Sequence, residues 1–217
     1  MDAIYLNSLD VKTVAIGGTS LSNRQIQALQ ANGTKELLLA LDNDKAGQAG
    51  TEKAIQLLRQ ADLRAYVVSM PEGVKDPDEL VRDRGLMALQ KQMEQAEAWP
   101  RWLARRLIQQ HDLATDIGLD RALESALAVY GGIHDRLEAR LFLEALEAST
   151  RLSAEELGQR VREYGRKASQ MASERLLEAS VRQLQAKLAD QDIVGAEIAL
   201  QESLDGLRQT RGVQAPE

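Results

Sequence analysis

The sequence predicts an α/β fold with a parallel sheet in its first part, followed by an all-α region. Within the first 95 residues, short apolar runs of strand-like composition alternate with segments of helical pattern. After Trp99 the strand-like runs stop and leucines recur at helical spacing. We therefore expect an α/β domain over residues 1–95, a helical subdomain over residues 96–167, and C-terminal helices over residues 168–217.

Three apolar runs are predicted to be strands that are buried on both faces of the sheet: residues 13–16, 36–41 and 65–70. A helix should separate the first two, because Ser22 and Gln25 have the spacing of a capping box and Asn32-Gly33 ends the pattern. A second helix is predicted from about residue 45 to residue 61. Short connections between alternating strands and helices imply right-handed crossovers, and hence parallel strands.

The second region is predicted from helical periodicity and from residues that interrupt it. Gly131-Gly132 breaks one run, and Ser153 with Glu156 three residues later is typical of a helix start. Residues 168–208 are rich in Ala, Leu, Gln and Glu, which indicates one or two amphipathic helices. These helices could form an ordinary hairpin or bind a partner.

Composition excludes several classes of function. The 217 residues carry a net charge of −6 and contain no cysteine, which excludes disulfide scaffolds, thiol nucleophiles and Cys-ligated zinc. Two histidines make a His-rich metal site improbable, and 3% aromatic residues argue against base-stacking sheets. The sequence contains no run of 18 apolar residues, the length that would predict a membrane span. A divalent-metal site built from carboxylates remains compatible with this composition.

Asp42 and Asp44 form the strongest local feature. They follow a predicted parallel strand and precede a helix, at the position where α/β sheets collect ligands. Oxygen ligands at this density suit Mg²⁺ or Mn²⁺. Gly47 would let the helix backbone approach a phosphate closely. The alternative is that Asp42 merely caps the helix.

Two further polar clusters are predicted at the same edge of the sheet. Asp76 precedes Pro77, which favours the first position of a helix, and Asp78 and Glu79 follow in its first turn. Acidic residues there also complement the helix dipole without any metal. The segment Gly17-Gly18-Thr19-Ser20 follows the first predicted strand, where it could contact phosphate or form a plain turn.

These three clusters, in their order along the chain from Gly17 to Glu79, resemble the Toprim domain of bacterial (DnaG-type) DNA primases. That family has a Gly-Thr-Ser turn, an Asp-Gly-Asp-x-Ala-Gly turn and a Gly-x-Asp-Pro-Asp turn, and the resemblance covers roughly residues 1–95. Asn43 replaces the middle glycine here, and one residue is inserted before Lys75. A looser resemblance links residues 126–161 to the helical subdomain that closes the primase core.

The resemblance implies a metal-dependent nucleotidyl transferase that makes short RNA primers on single-stranded DNA. It implies catalytic roles for Asp42, Asp44 and Asp2, and Mg²⁺ or Mn²⁺ binding by Asp42, Asp44, Asp76 and Asp78. It also implies contacts to nucleoside triphosphates from a set of five residues: Gly18, Thr19, Ser20, Lys45 and Gly47. The implied protein acts in the bacterial cytoplasm, at the nucleoid, with a replicative helicase as a candidate partner.

One departure from the family pattern concerns the start of the chain. The family carries a Glu-Gly-Tyr-Met-Asp segment, and Met1-Asp2 aligns with its last two residues. The family's key glutamate and its zinc-binding domain would then lie upstream. We expect this chain to be a fragment that binds metal and is inactive in isolation. We also expect it to self-associate through the sheet edge near residues 13–16.

Other interpretations stay open. Arg101, Arg105 and Arg106 beside two tryptophans could bind single-stranded nucleic acid, although such a group more often seals a domain junction. The chain could belong to another Toprim enzyme, such as a phage or plasmid primase or an overcoming-lysogenisation-type nuclease. It could also be a non-catalytic module that binds a helicase or dimerises.

Overall fold

A computed structural model describes residues 2–18, 21–189 and 193–212. The chain order of the elements within these ranges is α1 (Asp2–Ser8), α2 (Asn23–Ala31), β1 (Glu36–Leu39), α3 (Lys45–Gln60), β2 (Arg64–Val67), α4 (Pro77–Arg84), α5 (Leu86–Glu94), β3 (Glu97–Ala98), α6 (Trp99–Gln109), α7 (Asp116–Tyr130), α8 (Arg136–Thr150), α9 (Ala154–Ala189) and α10 (Ile193–Gly212). None of these helices is long and apolar enough to cross a membrane.

The described sheet has three strands in the order β1-β2-β3. β1 and β2 are parallel, with Leu37 opposite Ala65 and Leu39 opposite Val67, as the alternation of strands and helices predicts. β3 pairs with β2 in the antiparallel direction and consists of two residues, too short to leave a recognisable pattern. β1 is therefore an edge strand of the described sheet, and its Leu38 is 43% exposed.

The prediction of a strand over residues 13–16 is wrong, because this segment belongs to no sheet. Side chains supply the hydrogen bonds that a neighbouring strand would provide. The Asn7 amide donates to the Thr13 carbonyl (2.7 Å) and accepts from the Thr13 N–H (3.3 Å). The Gln25 amide donates to the Ile16 carbonyl (3.1 Å). Apolar composition alone does not make a strand, because β structure also needs a partner backbone.

Contacts divide the chain into two units, residues 1–110 with 135–146, and residues 111–134 with 147–217. These limits do not coincide with the expected domain boundaries after residues 95 and 167, and α9 runs continuously across residue 167. The predicted helices over residues 22–33 and 45–61 are confirmed as α2 and α3. The capping box of Ser22 and Gln25 is also confirmed.

In the first unit, α3 packs on β2, and its Ala54, Ile55 and Leu58 are all at most 1% exposed. A separate apolar cluster joins α1 to the chain that follows β2 and to α4 and α5: Leu6, Val68, Met70, Val74, Leu80, Val81 and Leu89. Burying each of these aliphatic side chains stabilises the fold by roughly 1.5–3 kcal/mol. This packing fixes the two segments that follow β1 and β2.

In the second unit, α9 and α10 pack against each other. Among the described side chains of the two helices, Leu157 (2% exposed), Ser180 (7%) and Ala199 (1%) are buried. Six large apolar side chains are instead at least 43% exposed: Met171, Leu177, Val181, Ile198, Leu200 and Leu204. The described part of the helix pair thus leaves a group of large apolar side chains exposed.

Candidate metal centre at the sheet edge

Two loops leave the carboxyl ends of the parallel strands β1 and β2, and each enters a helix capped by an aspartate. The Asp44 carboxylate accepts a hydrogen bond from the Gly47 N–H (2.7 Å) at the start of α3. The Asp76 carboxylate accepts one from the Glu79 N–H (2.8 Å) at the start of α4. The cap of α3 is therefore Asp44 rather than Asp42, and the Asp42 carboxylate is not engaged in capping.

Lys75 joins the two loops through contacts on three sides. Its carbonyl accepts a hydrogen bond from the Asn43 N–H (2.8 Å), and its own N–H donates to the Glu79 carboxylate (2.5 Å). Its ammonium lies 3.5 Å from Oδ2 of Asp42. The loop after β1 is thereby held against the loop after β2.

The electrostatic surroundings of Lys75 are strongly acidic. The negative charge of Asp42 and its hydrogen bond raise the pKa of Lys75 above its ordinary value, and the charges of Asp76 and Asp44 add to this effect. Three of the four predicted metal ligands therefore act on one ammonium group. The side chains of Lys75 and Asp42 are 64% and 45% exposed, so this ion pair is accessible to solvent and to ions.

Asp78 is the fourth predicted ligand, and one of its oxygens lacks a partner. Its Oδ2 pairs with Arg82 one turn later (2.9 Å), and the Arg82 guanidinium lies over the Tyr5 ring (5.2 Å to the centroid). Its Oδ1 is buried without a hydrogen-bond partner. A buried carboxylate oxygen without a donor is costly, and a cation would relieve this cost.

Gly47 is required by the local backbone. A Cβ at this position would lie 2.0 Å from the Asp42 carbonyl oxygen and 2.8 Å from its carbonyl carbon. The helix start and the acidic loop therefore touch through backbone atoms. The sequence predicts that Gly47 allows the helix backbone to approach a phosphate, and in the structure the backbone of Asp42 is the group that lies close to it.

A shallow pocket opens beside Asp42 at the ends of β1 and β2. Its polar wall includes Asp42, Asn43 and Gln48, and its apolar wall includes Met70 and Trp102. The pocket places an aromatic ring and a carboxylate on one depression of the surface. The sequence does not predict that Trp102 lines this pocket, because nothing in it shows that α6 returns to the sheet edge.

The remaining predicted residues are placed as follows. Asp2 is the first residue of α1, Lys45 is exposed at the first position of α3, and Gly18 has a φ of 159° in the segment before α2. Thr19 and Ser20 lie outside the described residues. Lys75 is not among the predicted site residues, although it directly precedes Asp76 in the sequence.

The three arginines of α6 are all in ion pairs with glutamates. Arg101 pairs with Glu144 (2.6 Å), Arg106 with Glu52 (3.0 Å), and Arg105 with Glu97. The neighbouring Trp99 is 2% exposed, and its indole N–H donates to Glu138 (2.8 Å). The arrangement provides a structural role for these arginines, while nucleic-acid binding by them stays a prediction.

The chemistry of the donors fits a divalent cation, because four carboxylates lie on the two loops and at the start of α4, and one of them, Asp78, has a buried oxygen without a hydrogen-bond partner. The described residues nevertheless contain no group of three or more Asp, Glu or His side chains already arranged around one point. Asp44 and Asp76 are engaged as caps, and Asp42 and Asp78 pair with basic side chains. The donors fit in kind, and their carboxylates would have to exchange partners to hold an ion.

Comparison with known proteins identifies the region that carries these loops. Residues 1–81 match the family described as Toprim-like. Residues 1–81 form a Toprim-like region that is similar to the Toprim region of DnaG-type primases. The chain is 44% identical over 92 residues to the DNA primase of Enterococcus faecalis, and the alignment covers 42% of this chain and 14% of that protein. It is 35% identical over 133 residues to the DNA primase of Escherichia coli K12, covering 59% and 22%.

Solved structures of primases extend the similarity beyond the Toprim region. A DNA primase domain from Pseudomonas aeruginosa matches with a TM-score of 0.55 at 27% identity, over 74% of this chain and 51% of that chain. The E. coli primase catalytic core matches with a TM-score of 0.53 at 28% identity, over 70% and 50%. The predicted fold class, a Toprim-like α/β region followed by helices, is confirmed. The chain spans about half of these structures and less than a quarter of the full primases.

Proposed function

We propose that this chain supplies the metal-binding part of a DNA primase core, which makes short RNA primers on single-stranded DNA. The observation that carries this proposal is the set of four aspartates on the two loops that leave β1 and β2, inside a DnaG-type Toprim region. Toprim primases as a family use divalent metal ions. The primases to which this chain is similar support the same reaction class here.

The proposed metal ligands lie on two loops, and each loop would bind or position one ion. Asp42 and Asp44 would hold Mg²⁺ or Mn²⁺ on one loop, Asp76 and Asp78 would hold or position a second ion on the other, and Asp2 would support the same site. A bound divalent cation supplies neutralisation of phosphate charge. Lys45 and the first backbone N–H groups of α3 provide positive potential for a triphosphate. The pocket with Trp102 offers a surface for the attached base or sugar.

Titration with Mn²⁺, followed by electron paramagnetic resonance, tests the metal site without requiring activity. We expect Mn²⁺ binding at millimolar concentration by the full chain, and its loss in Asp42→Asn and Asp44→Asn. Asp62→Asn is the matched control, since Asp62 follows the opposite end of α3 and has a φ of 56° that asparagine also tolerates. Unchanged binding in both site variants would refute the proposed ligands.

The alternative Toprim reaction, phosphodiester cleavage by a nuclease, uses the same acidic loops. Incubation of the chain with labelled single-stranded DNA, nucleoside triphosphates and Mn²⁺ separates the two. Growth of a labelled RNA product supports primer synthesis, and shortening of the DNA supports a nuclease. Metal binding without either product agrees with the expectation that this chain alone is inactive.

A second role, partner binding, is favoured by the uncovered apolar surface of α9 and α10. Its large apolar side chains, among them Leu177 and Leu204, are 53% and 44% exposed. A replicative helicase or a second copy of this chain would cover such a surface. Pull-down of a replicative helicase and sedimentation of the full chain test the two occupants. Leu177→Glu or Leu204→Glu should abolish whichever association is observed.

A further inference from the structure

The contacts of Lys75 differ in kind between its backbone and its side chain. The backbone is fixed, because the carbonyl accepts from the Asn43 N–H and the N–H donates to Glu79. The side chain is 64% exposed and reaches Asp42 at 3.5 Å through a flexible stem. Lys75 therefore has an anchored backbone and a movable cationic end.

We propose that the Lys75 ammonium is the built-in counter-ion of the acidic loops, and that a divalent cation binds by displacing it from Asp42. This inference rests on the proposed metal-binding function of the loops. It explains why the carboxylates have the right chemistry for a cation and yet do not converge on one point. In this structure the Lys75 ammonium already lies 3.5 Å from Oδ2 of Asp42, where it occupies the side of the carboxylate that a cation would need.

Replacing the Lys75 ammonium by a divalent cation costs little free energy at the ion pair and gains charge at the carboxylates. An exposed ion pair between lysine and a carboxylate contributes little to stability, so releasing it costs little. The divalent cation brings twice the charge to the same carboxylates. The backbone bond between Asn43 and Lys75 does not involve the ammonium, so the two loops stay together while the side chain swings into solvent.

Competition between the Lys75 ammonium and a divalent cation predicts that removing the ammonium raises the affinity for Mn²⁺. Replacing Lys75 by methionine keeps the length of the stem and removes the competing charge. Lys75→Met should therefore bind Mn²⁺ about two- to fivefold more tightly than the original chain, the range that one exposed ion pair supports. Lys75→Arg should bind no more tightly than the original chain, because a guanidinium pairs with a carboxylate at least as well.

A matched control separates local displacement from a change in net charge. Lys91 is exposed on α5, and Lys91→Met alters the net charge by the same amount. We expect its Mn²⁺ affinity to equal that of the original chain. Amide exchange of Asn43 without metal provides a second readout. Its protection should persist in Lys75→Met, because the acceptor is the backbone carbonyl.

The outcomes distinguish this inference from the function on which it rests. Tighter Mn²⁺ binding by Lys75→Met alone, with Asn43 still protected, supports displacement. Equal or weaker binding by Lys75→Met overturns it and leaves the metal site standing. Loss of Asn43 protection would show that the side chain is a structural tether, which also overturns it. Absence of Mn²⁺ binding in every variant refutes the metal site and the displacement together.

Discussion

Gly47→Ala tests whether the acidic loop and the start of α3 form one rigid unit. The added Cβ would lie 2.0 Å from the Asp42 carbonyl oxygen, a full ångström inside the shortest ordinary contact. The contact is with backbone on both sides, so no side chain can rotate away. Either the loop moves or the first turn of α3 opens, and the second choice loses the Gly47-to-Asp44 hydrogen bond of 2.7 Å.

The expected cost of Gly47→Ala follows from these two effects. Overpacking of a tight contact costs about 1–3 kcal/mol, and loss of an aspartate cap costs about 1 kcal/mol. We therefore expect the free energy of unfolding to fall by about 2 kcal/mol or more, which corresponds to roughly 4–8 °C in Tm for a chain of this size. Urea denaturation followed by circular dichroism measures it. The displaced Asp42 should also weaken Mn²⁺ binding.

Gly118→Ala is the matched control for this prediction. Its added Cβ would lie 1.8 Å from the Asp112 carbonyl oxygen at the start of α7, which is the same kind of backbone collision in the other unit. It should destabilise the chain comparably while Mn²⁺ binding is retained. An unchanged free energy of unfolding in Gly47→Ala, with the amide resonances of residues 42–44 unmoved, would refute the reasoning.

Three further predictions concern caps, pH and the sheet edge. Asp44→Asn should keep the free energy of unfolding within a few tenths of a kcal/mol, whereas Asp44→Ala should lose about 1 kcal/mol, because only the amide still accepts the cap hydrogen bond; denaturation curves of the two variants decide this. Hydrogen bonds from Ser153 lower the pKa of Glu156, so the stability contributed by this carboxylate is present above its unfolded-state pKa and lost as pH falls through the folded value. Titration by nuclear magnetic resonance should show this lowered pKa, and Ser153→Ala should return it toward the ordinary value. Leu38→Lys should abolish any concentration-dependent sedimentation that arises from pairing of the β1 edge; self-association that persists would assign it to another surface.

Sequence periodicity predicted the elements whose formation depends on local interactions. The capping box of Ser22 and Gln25 and the start of α4 at Pro77 follow from bonds within four residues, and both are observed. The strand over residues 13–16 could not be excluded in this way. Whether an extended segment becomes a strand depends on a partner that is distant along the chain, and here Asn7 and Gln25 occupy its backbone groups instead.

In the candidate site too, features set by local sequence could be predicted and contacts between distant segments could not. The prediction that Asp42, Asp44, Asp76 and Asp78 form a site rests on their positions after two strands, and the segments that carry them do follow β1 and β2. The roles of individual carboxylates were less accessible, since Asp44 rather than Asp42 caps α3. The position of Lys75 depends on how the loops after β1 and β2 meet, and such a contact has no signature in a single sequence.

The hydrogen bonds of Asn7 imply a specific form of chemical ageing. Its amide nitrogen donates to the carbonyls of Ala3 (2.6 Å) and Thr13 (2.7 Å). Spontaneous hydrolysis of this amide would leave an ionised carboxylate, which only accepts hydrogen bonds and would face two carbonyl oxygens. The segment over residues 11–16 would then lose the hydrogen bond at the Thr13 carbonyl, while the Thr13 N–H could still donate to the new carboxylate. A stored preparation would thus have a weaker contact between α1 and this segment, still held by the bond from the Val11 N–H to the Leu6 carbonyl.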